Sequence, residues 1–351
     1  MKLFNFPFLV QKKIFHQMGY DDLFLLSLAS SRMLKLLQLV PWKHIKAISY
    51  KTRKTHISVF AVKSQNDSLK VMELRPSKTV NQATKQMMHC SGYEMTYCPP
   101  SDTNKLIISF NQDTIESTVQ FVHQYMNHLQ YGCTILSYDL IFLPAVLPIK
   151  SNVLMLHMGM DPECLNDYIS KMENQKCFTM KNQMKKLPLN NMKFHNSQHL
   201  NFINAYSLAP EIVSCFEGRT AVLYNSKIEN SNIVDFVIRW QQGETAHNLK
   251  FLKIYLDSTH VFNPDVITRS LDIRKFTPSR EPPRFQFPVI NFFGAQETLQ
   301  DHDLTMNTYV VRESDQIISS ISISEDRFDF CVWEWTEKQT AEMGYIDKTS
   351  S

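Results

Sequence analysis

Apolar residues recur with a helical period through the first forty positions and then lose it. Val10, Ile14, Phe15 and Met18 fall on one stripe, and Gly19-Tyr20-Asp21-Asp22 interrupts it. Leu23, Leu26 and Leu28 resume the period. Ser30-Ser31 breaks it again before Met33, Leu34, Leu36 and Leu37. The pattern predicts three short helices. Helices of about ten residues are marginal alone. Their apolar faces are broad for so small a unit, so the surplus must be buried against a partner or against the rest of the chain.

After Pro41-Trp42 the period shortens to two. Ile57–Val62 and Leu69–Leu74 read as strands joined by the turn Gln65-Asn66-Asp67-Ser68, a hairpin. Residues 76–104, polar and rich in Ser, Thr, Asn and Pro, read as a long connection. Strand-like and helix-like pieces then alternate. Leu106–Phe110 precedes a helix that carries Ile115, Val119, Val122 and Met126, with Asp113-Thr114 as its cap. Cys133–Leu136 and Val153–Leu156 are further strands, and Asp161-Pro162 opens a helix carrying Leu165, Tyr168, Ile169 and Met172. The clearest unit is the strand Ala221–Tyr224, then Asn225, a helix with Ile233, Phe236, Val237 and Trp240, and a strand through Leu252, Ile254 and Leu256. Leu200–Ile203 with a helix from Pro210 looks like a neighbouring copy.

Strand, Asn-bearing turn and helix at about 20–30-residue spacing is the rhythm of leucine-rich repeats. An ordinary βαβ-type α/β domain gives the same alternation, and both readings stay open. Three strand-like runs close the body: Thr308–Arg312, Ile317–Ile323 and Phe328–Trp335, with polar turns that predict an antiparallel meander. Residues 336–351 read as a flexible tail. The fold class is therefore mixed α/β, with a helical segment over 1–42 and a strand-helix body over 43–335.

A chain of 351 residues, 43% hydrophobic, has room for a substantial core. The net charge of +3, without a dense basic block, argues against nucleic acid as a partner. Seven scattered cysteines with no Cys-x-x-Cys fit a reducing compartment, cytoplasmic or nuclear. The short apolar opening is cut by Asn5 and Pro7 and lacks a small-residue cleavage site, so neither a signal peptide nor a membrane span is expected.

Motifs for chemistry are sparse. Eight isolated glycines form no phosphate loop. His195 and His199 would hold a metal only if they shared a helix face, and they lack an acidic or cysteine companion. Asp301-His302-Asp303 is a fragment of a proton relay without a nameable nucleophile. Cys331, between aromatics in a strand, reads as a small buried residue. Ser319, Ser320, Ser322 and Ser324 read as the polar face of a strand. No cofactor, metal or catalytic residue is expected.

The opening segment resembles an F-box. Phe6-Pro7 stands where that family has Leu-Pro, while Val10, Ile14-Phe15 and Met18 occupy its first-helix apolar positions. Asp22-Leu23 matches the start of its second helix, and Leu26, Leu28 and Ala29 follow in step. It departs from the family in having Ser30 for the usual Cys, Met33 for the usual Trp and Leu9 where an acid is common. The Phe-Pro opening, the stretch from Asn225 to Leu252 and the strand-rich end are similar to nematode F-box proteins carrying the type 2 F-box-associated domain.

The resemblance implies a non-catalytic adaptor that docks on a Skp-type protein, and through it a cullin, by Phe6, Pro7, Val10, Ile14, Phe15, Leu23 and Leu26. The body would hold a target protein. Its recognition residues are expected to be Tyr224, Lys253 and Tyr255, which alternate with the core series, joined by Trp333 and Trp335. The rival readings are an α/β small-molecule enzyme with a helical cap, and an F-box-like interaction protein not tied to a ligase.

Overall fold

The helical period of the opening residues becomes three helices in the computed structural model: α1 (Phe8–Gln17), α2 (Tyr20–Ala29) and α3 (Ser31–Gln38). The structure describes residues 3–40, 45, 47–53, 55–64, 67–90, 93–100, 105–128, 133–138, 152–156, 175–180, 197–277, 284–291, 296–302 and 308–346. Each helix has a local reason to start where it does. Pro7 precedes the first turn of α1, where a residue without an N–H does no harm. Asp21 and Asp22 put negative charge at the positive end of α2. Ser30 caps α3, its Oγ accepting from the Met33 amide at 3.1 Å. Phe15, Leu23, Met33, Leu37 and Val40 close a small core among the three.

The chain divides into two compact units, the first chiefly Met1–Met160 and the second chiefly Asn174–Ile290 with Gln296–Ser351. The division thus falls inside the stretch 43–335, and the three helices share a unit with the first sheet.

In the first unit β1 (Ala47–Thr52), β2 (Ile57–Ser64) and β3 (Asp67–Pro76) form an antiparallel meander, which contains the hairpin expected from the sequence. The remaining elements are β4 (Gln86–Cys90), β5 (Tyr93–Cys98), β6 (Leu106–Phe110), α4 (Ile115–His128), β7 (Cys133–Tyr138) and β8 (Asn152–Leu156). The strand order is β8-β7-β1-β2-β3-β6-β5-β4. Two expectations need correction here. Residues 76–104 are not a plain connection, because they contain the antiparallel hairpin β4–β5. Few of that hairpin's apolar side chains are buried: among the described ones Met95 and Cys98 are, Met87 is exposed, and the half-buried Tyr93 ring stacks on Phe121 at 4.7 Å. Asp113-Thr114 lie within a 3-10 turn, Gln112–Thr114, that leads into α4, and Asn111 caps this turn: its side chain accepts from the Thr114 amide, and Thr114 Oγ1 accepts from the Asn111 amide.

A buried polar pair sits in this unit. The Tyr50 hydroxyl and His123 Nδ1 are 2.9 Å apart. Burial pushes the His123 imidazole down from 6.5 to about 4. The unfolded chain therefore takes up this proton near pH 6.5, and the folded chain takes it up only near 4. The stabilisation is complete above the unfolded value and is lost as the pH falls towards the folded one. Between pH 7 and 5 the chain is expected to lose about 2 kcal/mol through His123. Urea unfolding at the two pH values, for the wild type and His123→Asn, checks this. An equal loss in the variant would assign the acid sensitivity to other groups.

The second unit is a mixed sheet in the order β9-β10-β11-β12-β18-β17-β16-β13. Its strands are β9 (Gln175–Met180), β10 (His199–Phe202), β11 (Thr220–Ser226), β12 (Phe251–Leu256), β13 (Arg274–Lys275), β16 (Thr308–Val311), β17 (Ile317–Ile323) and β18 (Arg327–Thr336). The separate ribbon is β14 (Phe285–Asn291) with β15 (Gln296–His302). Strands β9 to β12 run parallel and lie side by side in chain order. Helix α5 (Ala209–Cys215) lies between β10 and β11 in the chain, and α6 (Asn230–Gln241) between β11 and β12. Strands β16, β17 and β18 form the expected antiparallel meander, which joins β12 through β18.

Strand alternation gives this sheet two apolar faces. Leu223, Ile254 and Phe328 are register partners on one, as are Leu252 and Phe330. Helix α6 packs there, with Phe236 and Trp240 edge-on to Phe330 at 5.3 and 5.0 Å. Phe251, Tyr309, Cys331 and Trp333 occupy the other face and pack with Phe276, Phe285, Phe287 and Ile346. Asn225, singled out in the sequence, is left-handed at φ 51°. Its Nδ2 donates to the Ile203 carbonyl at 3.0 Å and to Asn204 Oδ1 at 2.8 Å, which ties the end of β11 to the end of β10.

Two short helices were not legible from period alone: α7 (Pro264–Arg269), capped by Asn263, and α8 (Glu337–Glu342), capped by Thr336. The second corrects the flexible tail expected over 336–351. Glu337 is buried, taking two bonds from Arg274 at 2.6 and 2.7 Å and one from the Tyr309 hydroxyl at 3.0 Å. Ile346 is buried in the core beyond it. Glu337, with Ala341, Tyr345 and Ile346 against the core, holds the segment, and these contacts leave no hydrophobic period to read. The helix expected from Asp161-Pro162 and the lysine-rich stretch 181–193 lie outside the described residues. No described helix is long and apolar enough to cross a membrane.

Candidate functional site

The helical segment presents apolar side chains that its own core does not use. Phe4, Phe6, Phe8, Leu9 and Val10 are exposed, Leu9 by 71% and Val10 by 39%. The Arg32 guanidinium lies 4.3 Å from the Phe4 ring centroid. Buried Gln11 donates through Nε2 to the Phe6 carbonyl at 2.6 Å, which fastens the approach to α1.

Of the residues expected to meet an adaptor, Phe6, Pro7 and Val10 are exposed, and Ile14 and Leu26 are half-buried. Phe15 and Leu23 are fully buried in the core of the three helices, so they are structural and leave the contact set. Their positions on the apolar stripe could not distinguish an inward from an outward neighbour. Phe8 and Leu9 join the exposed set, because the helix begins at Phe8 and its first turn faces solvent there.

In the second unit Tyr224, Lys253 and Tyr255 do come together. The two tyrosine rings stack at 4.9 Å with planes 7° apart, and Lys253 Nζ lies 4.9 Å from the Tyr255 centroid. Burial pushes the Tyr224 hydroxyl above its ordinary value. Tyr224 is exposed and the other two are half-buried.

Trp333 and Trp335 divide. Their rings stack at 5.0 Å. Trp333 is only 6% exposed and donates from Nε1 to Ser320 Oγ at 2.8 Å, so it is chiefly a core residue. Trp335 is half-buried. Both line a cavity of about 350 Å3. No local pattern in the sequence points to this cavity, because its far wall is the ribbon β14–β15.

The groups that resembled catalytic fragments are committed elsewhere. His302 pairs through Nε2 with Asp329 Oδ2 at 3.2 Å, and Arg327 Nε reaches the same oxygen at 3.2 Å. Asp301 accepts from Gln286 Nε2 at 2.8 Å, and Asp303 lies outside the described residues. Burial, with Asp329 nearby, pushes the Cys331 thiol well above its usual range, which makes it a poor nucleophile. Ser319, Ser320 and Ser322 are all buried, with Ser319 on the opposite sheet face from Ser320 and Ser322, so they do not form one polar face open to solvent. His199 Nδ1 meets Thr220 Oγ1 at 2.8 Å within the sheet, and its proposed companion His195 lies outside the described residues. Among the described residues no cluster of His, Cys, Asp and Glu could hold a metal ion.

No family model, curated protein or solved structure matches this chain.

Proposed function

We propose that this chain is a substrate-recognition adaptor of a cullin-type (SCF) ubiquitin ligase, working in the cytoplasm or nucleus. Its three-helix segment would act as an F-box that binds a Skp-type protein. Its second unit, read as an irregular leucine-rich-repeat-like array ended by antiparallel strands, would hold the target. The mechanism is proximity: the target's effective concentration at the ligase rises and no residue of this chain does bond chemistry.

The observation that carries the reading is the exposed apolar run Phe6, Phe8, Leu9 and Val10 on a helical module whose own core is already closed. Apolar surface of this kind marks an interaction site. The repeat-like reading draws support from the parallel order β9 to β12 and from Asn225 bridging consecutive strand ends. The non-catalytic reading draws support from the commitment of Asp329 to His302 and Arg327 and from the protonated state of the Cys331 thiol.

Co-expression of the tagged full chain with a Skp-type adaptor is expected to yield a stoichiometric complex that survives gel filtration. A folded chain that elutes free of the adaptor would end the ligase reading.

A further inference from the structure

The cavity beside Trp335 has a built wall of each chemical kind. Strand β18 runs on to Thr336, past Cys331, the last residue it pairs with β12. The overhang places Trp333 and Trp335 beyond the edge of the parallel strands, and Phe285 of the ribbon packs edge-on against Trp333 at 5.0 Å. These rings supply an aromatic lining. Arg219 and Lys250, the residues just before β11 and β12, supply a basic one. Their backbones are locked together, the Lys250 amide donating to the Arg219 carbonyl at 2.7 Å, so both side chains leave from a rigid sheet end.

Among the described residues that line the cavity Glu334 is the one acid, and it pairs with Lys250 Nζ at 3.1 Å. Exposed Arg284 has no ionic partner among the described residues. A cavity of about 350 Å3 is at the small end for a ligand site and is the right size for one side chain and its flanking groups. Aromatic walls favour an apolar group, and a guanidinium favours carboxylates in forked geometry.

We propose that this cavity binds a linear peptide segment in which an apolar side chain is flanked by acidic residues. The apolar side chain enters between Trp335 and Phe285, and a flanking carboxylate meets Arg284. The proposal rests on the adaptor reading only in calling such a segment the target's. The binding itself is measured without the adaptor, so the two readings fail separately.

The test is fluorescence anisotropy on the full chain with three short capped, labelled peptides. One has a leucine flanked by glutamates, one a leucine flanked by lysines, and one a glycine flanked by glutamates. The first is expected to bind at least about tenfold more tightly than either of the others, with affinity that falls as salt rises. Arg284→Glu and Trp335→Ala are each expected to weaken it about tenfold or more. Arg284 is exposed and Trp335 half-buried, and unchanged circular dichroism would show that the fold survives. Equal binding of the three peptides, no binding of the first, or full affinity in Arg284→Glu would overturn the proposal. Should Trp335→Ala unfold, Arg284→Glu alone decides it.

Discussion

Val10→Asp is expected to weaken binding to a Skp-type adaptor by at least about 100-fold while leaving the free chain at least as stable as before. Val10 is 39% exposed and lies in the first turn of α1, a turn that carries no acidic residue. A carboxylate there faces the positive end of the helix, which favours the free chain by up to about 1 kcal/mol. In a complex that covers the run Phe6, Phe8, Leu9 and Val10, the same carboxylate is buried without a partner. That penalty is about 3–5 kcal/mol, and each 1.4 kcal/mol is a factor of about ten. The substitution therefore acts with opposite signs on folding and on binding. Phe15→Ala is the matching control: Phe15 lies wholly inside the helical core, so its loss should cost about 3–5 kcal/mol of stability and take binding with it. Titration calorimetry for binding and thermal melts for stability separate the two. Full adaptor affinity in a folded Val10→Asp chain would place docking elsewhere.

Where burial was one-sided and periodic, the sequence was readable. The three helices, the hairpin β2–β3, the strand-helix alternation around Asn225 and the meander β16–β18 all follow from period and turn chemistry. What escaped was held by few or polar contacts. Helix α8 is held by Glu337, which meets Arg274 and Tyr309, and by contacts of Ala341, Tyr345 and Ile346 with a distant core, while hairpin β4–β5 buries Met95 and Cys98 among its described side chains. The ribbon β14–β15 puts Phe285 on the cavity wall and Phe287 in the core, and their partners Trp333 and Phe251 are far off in the chain. The site residues divide the same way. Tyr224, Lys253 and Tyr255 meet because strand alternation and parallel register put them together. Trp333 shares a face with Trp335 in the strand and yet is buried, because the ribbon that covers it was invisible to a local reading.

Trp240→Ala is expected to destabilise the second unit by about 3–5 kcal/mol, the usual range for emptying a buried aromatic site. Trp240 is fully buried, the last member of the α6 stripe Ile233, Phe236, Val237 and Trp240. It meets Phe330 edge-on at 5.0 Å on one side, and the Arg312 guanidinium lies 5.1 Å from its ring on another. Arg312 is held in turn by Asp315, which accepts from its Nε at 2.9 Å and from Nη2 at 2.7 Å. The truncation thus opens a cavity between helix and sheet and removes the ring from beside a buried cation. Trp240→Phe should cost distinctly less. The indole Nε1 is buried with no hydrogen-bond partner among the described residues, a burden of about 1–3 kcal/mol. Phenylalanine removes that unsatisfied donor along with part of the ring, so the two effects oppose each other. Urea unfolding of the full chain should therefore rank wild type and Trp240→Phe close together, with Trp240→Ala far below. Adaptor binding gives a second readout. The helices belong to the first unit, so a Trp240→Ala chain warmed until its second unit unfolds should lose the acidic peptide before it loses the adaptor. If the alanine and phenylalanine variants lose equal stability, the aromatic contact with Phe330 is not what holds α6 to the sheet.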